Sequence, residues 1–149
     1  MFKKYSASLT RPNNADAYTA RDTFGTAATN LFTLCSSSNG GLVKKVRAVG
    51  IMPTATDTFE VWLFGVAPTA QADNAAFSIT DAEAANLLGI VPLTVSYTTA
   101  LNRVLETALT TVVDVVYYGP LYAVLVVVGA TTPVAVDKIT LVVDVLEAE

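Results

Sequence analysis

The chain has 149 residues, 52% of them apolar and only 15% charged, where about a quarter charged is usual. Its net charge is −4, with no His and a single Cys, Cys35. That composition suits one domain with a core of its own. It excludes His-ligated metal sites, Ser-His-Asp and imidazole chemistry, an internal disulfide and a disordered chain.

Val, Thr and Ile supply 45 of the 149 residues. β-branched side chains fit a pleated, half-buried surface, so the bias is toward strands. Turn signals recur at Pro12-Asn13-Asn14, Ser38-Asn39-Gly40-Gly41, Pro53, Pro68, Gly119-Pro120 and Thr132-Pro133. Short strands punctuated in this way indicate an all-β, antiparallel sandwich or barrel.

Residues 1–12 read as an N-terminal arm or first strand, with Tyr5, Ala7 and Leu9 alternating against Ser6, Ser8 and Thr10. Residues 13–149 read as a single β-sandwich domain. After a loop holding Tyr18–Asp22, a strand is expected over 30–35 and a basic strand over 42–52, opened by the Gly40-Gly41 turn. Phe59 to Val66 is apolar on both faces: Phe59, Val61 and Leu63 on one, Trp62 and Phe64 on the other. Such a strand has one face in the sandwich and the other under a loop or a neighbour. Thr80-Asp81-Ala82-Glu83 fits a capping box and predicts one short helix near 81–88, stopped by Gly89. Strands are expected over 90–97, 122–128 and 138–146. Between them, Leu101, Val104, Leu105, Ala108, Leu109, Val112 and Val113 have helical spacing, but Thr110-Thr111-Val112-Val113 is a poor helix former. The segment is taken as strands over 103–109 and 112–117.

Residues 1–52 carry seven basic residues (Lys3, Lys4, Arg11, Arg21, Lys44, Lys45, Arg47) against two acids, a local charge of +5, while the remainder carries two against eleven, or −9. A basic segment of this kind either docks on an acidic neighbour or is unrelated surface charge. Seven dispersed cations on an acidic chain are not a nucleic-acid patch. Met1-Phe2-Lys3-Lys4 leads into no apolar leader, and Leu121 to Val128 is far shorter than the roughly 20 residues of a span. The expectation is a soluble protein made in the cytosol, with no membrane and no nucleic acid among its partners.

Several segments, in this order, resemble the pattern of small tailed-bacteriophage capsid decoration (cement) proteins. They are Tyr18-Thr19-Ala20-Arg21-Asp22 with Gly25; Gly40-Gly41-Leu42-Val43; Val61-Trp62-Leu63-Phe64; Asp73-Asn74-Ala75-Ala76-Phe77; Leu121-Tyr122-Ala123-Val124-Leu125-Val126; and Gly129-Ala130-Thr131-Thr132-Pro133. The resemblance implies a jelly-roll-like sandwich located on the outer surface of the virion capsid and made in the host cytoplasm. There it would bridge neighbouring major capsid protein subunits, often as a dimer or trimer of itself. It implies no enzyme and no cofactor. Removing residues 1–10 is then expected to lower occupancy on the capsid and leave the domain folded. A tail, fibre or minor head protein and a carbohydrate- or receptor-binding sandwich are the alternatives.

The candidate contact residues follow from chemistry. Phe2-Lys3-Lys4-Tyr5 pairs aromatic and basic groups at an extended end. Tyr117, Tyr118 and Tyr122 flank Gly119-Pro120 and form the best contact patch, with a packed loop corner as the alternative. Trp62 reads as a core anchor, with an interface hot spot as the alternative. No catalytic, cofactor-binding or metal residue is assigned. Asp73-Asn74 with Asp81 and Glu83 matches no Ca²⁺ loop, Asp22 reads as a backbone cap, and Cys35 as a small buried hydrophobe.

Overall fold

The computed structural model describes residues 1–14, 16–50, 58–98, 103–107, 113–130 and 137–148. Its strands are β1 (Phe2–Thr10), β2 (Leu31–Cys35), β3 (Gly41–Gly50), β4 (Phe59–Phe64), β5 (Leu87–Leu93), β6 (Val95–Thr98), β7 (Arg103–Glu106), β8 (Val115–Tyr117), β9 (Leu121–Val127) and β10 (Lys138–Glu147). A one-turn helix, α1 (Asp81–Ala84), precedes β5.

The pairing is nested. β1 pairs with β10, β2 with β9, β3 with β8 and β4 with β5, all antiparallel. The chain is therefore a long hairpin rolled on itself, and the roll brings β10 against β3 and β9 against β4. Two sheets result: β1-β10-β3-β7-β6, with β8 also on β3, and β2-β9-β4-β5. This interleaved order in two antiparallel sheets is that of a jelly-roll sandwich.

The core lies between the sheets. Val43, Val46, Ala48, Leu141, Val143 and Val145 from one side meet Phe32, Leu34, Val61, Leu63, Ala123 and Leu125 from the other, all buried. Each such Val or Leu contributes about 1.5–3 kcal/mol by leaving water, so alternation along the strands is what holds the fold. The second face of β4 is covered as well. Phe64, Val124 and Val126 are buried there, and Trp62, Phe77, Ile79, Leu87 and Tyr122 pack on them. A loop, rather than a neighbour, covers that face.

Several expectations change. The helix is shorter than the two turns expected: its capping box forms, but the chain leaves the helix at Ala85 and Leu87 already pairs with Phe64. Gly89 is no helix stop. It lies in β5, where a Cβ would meet Val115 Cγ2 of the opposite sheet at 2.8 Å. The strand expected over 90–97 is two strands in different sheets, broken at Thr94. Arg103–Glu106 and Val115–Tyr117 are strands as expected, while residues 101–102 and 108–112 lie outside the described residues. Finally, β1 is a full member of its sheet, paired with β10 at nine successive positions.

Candidate interaction surface

Residues directly opposite on neighbouring strands share a face of the sheet. Phe2 faces Leu146, Leu146 faces Leu42, and Leu42 faces Val116. These four apolar side chains form a row across β1, β10, β3 and β8 on the outer face of the six-stranded sheet. Phe2 is 76% exposed, Leu146 40% and Val116 51%, and Tyr118 just beyond β8 is 79% exposed. Leu42, Val116, Tyr118 and Leu146 line a shallow depression of about 350 Å³. A second, of about 490 Å³, is lined by Phe2, Lys3, Lys4, Lys44, Lys45 and Asp144. The turn before β3 sets the position of Tyr118. Gly40 has φ +92°, and its missing Cβ lets the chain pass the Tyr117 carbonyl and the Tyr118 ring.

Polar groups close to this row are paired within the chain. Lys3 pairs with Glu147, which raises the lysine pKa, and Tyr5 Oη donates to the same carboxylate. Lys4 lies 3.9 Å from Asp144, Arg47 3.0 Å from Asp144, and Lys45 2.8 Å from Glu106. Lys44 pairs with Asp114. Arg21 reaches Glu60 at 3.1 Å and Arg11 reaches Asp73 at 3.0 Å. Thus each of the seven basic residues of the N-terminal part meets an acid from the rest of the same chain. The charge imbalance along the sequence is matched by ion pairs within the fold.

Of these seven pairs Arg11–Asp73 is the buried one, its side chains 0% and 2% exposed. Tyr18 Oη donates to Asp73 at 2.5 Å, and the Gly25 amide donates to the same oxygen at 2.9 Å. The Arg11 guanidinium also lies 4.9 Å from the centre of the Tyr18 ring. Burial, with Asp73 alongside, pushes the Tyr18 hydroxyl well above its ordinary pKa. Around this hub two loops zip together. Asp73 N–H donates to Thr26, Asn74 N–H to Thr23, Thr23 N–H to Ala75 and Phe77 N–H to Arg21. Two of the family-like segments, Tyr18–Gly25 and Asp73–Phe77, are therefore one structural clamp. Asp22 accepts from the Thr19 amide at 2.5 Å, the capping role read from the sequence.

The candidate contact residues do not form one patch. Phe2 and Tyr118 end the apolar row, and Lys4 stands beside it. Lys3 and Tyr5 converge on Glu147. Tyr117 is buried in the core, where desolvation raises its pKa. Trp62 and Tyr122 lie on the other sheet under the loop. There the Trp62 ring meets Phe77 edge-on at 4.9 Å, and Arg21 lies 5.7 Å from its centre. Sequence reasoning missed Leu42, Val116 and Leu146, each of which read as an ordinary strand residue. The period-2 pattern of β10 held a signal: Leu146 stands on the polar parity of Thr140 and Asp144.

Fold and surface together define a jelly-roll sandwich with an exposed apolar row on the outer face of its six-stranded sheet. No protein-family model matches the chain, and no curated protein does. Among solved structures it is similar to a chain of the acidic stable capsid structure of Helicobacter pylori bacteriophage KHP30. The identity is 20%, over 99% of this chain and 95% of that one, with a TM-score of 0.35. A TM-score that low bears no argument, and the architecture rests on this chain's own strand pairing.

Proposed function

We propose that the chain is a non-enzymatic bacteriophage virion protein that docks on the outside of the capsid and bridges neighbouring major capsid protein subunits. The observation that carries the reading is the exposed apolar row of Phe2, Leu146, Leu42 and Val116. A monomer in water gains nothing by presenting such a row, whereas an assembly module uses one. The sequence resemblance supplies the setting, and the jelly-roll strand order is the fold that resemblance implies. β1 stands last in its sheet, so its outer edge offers backbone groups for strand addition. Several modest contacts repeated over a shell add up through effective concentration.

The test is a protein count on purified virus particles. Abundance near that of the major capsid protein is the expected result. A few copies per particle would replace the shell role with a tail or fibre role. Absence from particles would overturn the virion reading altogether.

A further inference from the structure

We propose that the Asn39-Gly40 pair is a site of spontaneous deamidation and that Ser38 is the brake on it. The inference is independent of the virion reading.

Asn39-Gly40 is the one Asn-Gly pair in the sequence; every other Asn precedes a residue with a Cβ. The chemistry favours that pairing. The Gly40 amide nitrogen gives up its proton and attacks Cγ of Asn39. A bond forms between that nitrogen and Cγ, the Cγ–Nδ2 bond breaks, and Nδ2 leaves with the proton as ammonia. The product is a succinimide ring. Water then adds to one of its carbonyls and opens it. One opening gives an aspartate at position 39. The other gives isoaspartate, in which the main chain runs through the former side chain. Water is the only co-reactant, and nothing is oxidised or reduced. A Cβ on the following residue crowds the attack, and glycine has none.

The surroundings suit the reaction. Asn39 is exposed and lies outside every strand, in the segment that carries the chain from β2 in one sheet to β3 in the other. With Lys3, Tyr5, Ser37, Ser38 and Glu147 it lines a polar cleft of about 340 Å³, so water has access to the ring.

The brake is a pair of hydrogen bonds. The Gly40 N–H donates to Ser38 Oγ at 2.9 Å, and Ser38 Oγ donates to the Gly119 carbonyl at 3.0 Å. The second bond fixes the hydroxyl against the neighbouring turn. An amide held in this way keeps its proton and its orientation, and both must change before the nitrogen attacks.

The position gives the modification a consequence. The Gly40 carbonyl accepts from the Ala148 amide at 3.0 Å, and a Cβ at Gly40 would lie 2.6 Å from the Tyr117 carbonyl oxygen and 3.1 Å from the Tyr118 ring. Isoaspartate inserts an extra main-chain carbon directly before this tight point. It also adds a carboxylate to the cleft that holds Glu147. The turn that places Tyr118 is thus the turn that ages.

The experiment incubates the purified full chain and its variants in mildly alkaline buffer. Peptide mapping by mass spectrometry locates each amide-to-acid exchange, and a synthetic peptide of residues 36–42 serves as the unfolded reference. Conversion at Asn39 is expected, with isoaspartate among the products and at a rate below that of the peptide. Ser38→Ala should speed it by about two- to tenfold, the range that loss of one neutral hydrogen bond gives. Ser38→Thr keeps the hydroxyl and should hold the parent rate. Asn39→Gln needs a larger ring and should stay an amide. An Asn39 that remains an amide in both the parent and Ser38→Ala, or conversion spread evenly over other asparagines, would overturn the site. A parent as fast as the peptide, equal rates for the parent and Ser38→Ala, or Ser38→Thr as fast as Ser38→Ala would overturn the brake.

Discussion

Asp73 accepts from Arg11, Tyr18 and the Gly25 amide in a site closed to water. Asp73→Ala removes the carboxylate and leaves the Arg11 guanidinium buried with less compensation. The cost of breaking a buried pair is about 3–5 kcal/mol. Tyr18→Phe removes one hydrogen bond and keeps the ring, at a cost of about 1–2 kcal/mol. Urea unfolding checks both, and the order of the two is the sharper criterion. An Asp73→Ala chain as stable as the parent would mean that the clamp contributes little. Asp73 was visible in the sequence as part of a segment that resembles the family pattern, but its partners were not. Arg11 and Tyr18 stand 62 and 55 positions away, and no local spacing encodes a contact at that range. The same holds for the seven ion pairs, which the sequence displayed only as a lopsided charge distribution.

At the scale of elements, the capping box of α1 was legible because it is local. Glu83 accepts from the Thr69 and Thr80 amides, and Thr80 accepts from the Glu83 amide. The hydrogen bonds from Thr69, with those from Thr80, hold the Glu83 carboxyl at about 2, below its ordinary 4.5. A depressed folded pKa gives stability that is complete above about pH 4.5 and lost as pH falls toward 2. Glu83→Gln should flatten the stability profile in that window, measured as the urea midpoint at successive pH values. A profile unchanged by the substitution would refute the role. What the local pattern could not convey was where an element changes layer. Val91, Leu93, Val95 and Tyr97 keep one parity, yet the chain passes from one sheet to the other at Thr94. Leu87 and Leu88 suited a helix equally well, and pairing with Phe64 in the four-stranded sheet decided between them. The loop over β4 gives a further prediction. Trp62 is the sole tryptophan and packs edge-on against Phe77. Phe77→Ala should therefore shift its emission to the red as water reaches the indole. An unshifted spectrum would mean that Phe77 does not shield the ring.

At the scale of the whole molecule, the nested hairpin gives the chain's start an importance that its sequence understates. Read alone, residues 1–10 resemble an appended arm whose removal spares the domain. In the fold, β1 closes the outermost rung of the roll. Its Tyr5, Ala7 and Leu9 pack on the core beside Ile139, Leu141 and Val143. Deleting residues 1–10 would leave β10 as a sheet edge and open one flank of the sandwich to water. The loss would be spread along nine paired positions rather than confined to an end. The expected outcome is a large fall in the thermal midpoint and rapid proteolysis. By contrast, Phe2→Ser changes only the outer face and should shift stability by no more than about 0.5 kcal/mol. The pair of variants separates the two faces of one strand, since the inward parity of β1 packs on the core and the outward parity faces away from it. A truncated chain that melts with the parent would show that the roll closes without its first strand. Any loss of capsid occupancy on truncation would then belong to the arm itself rather than to an unfolded domain.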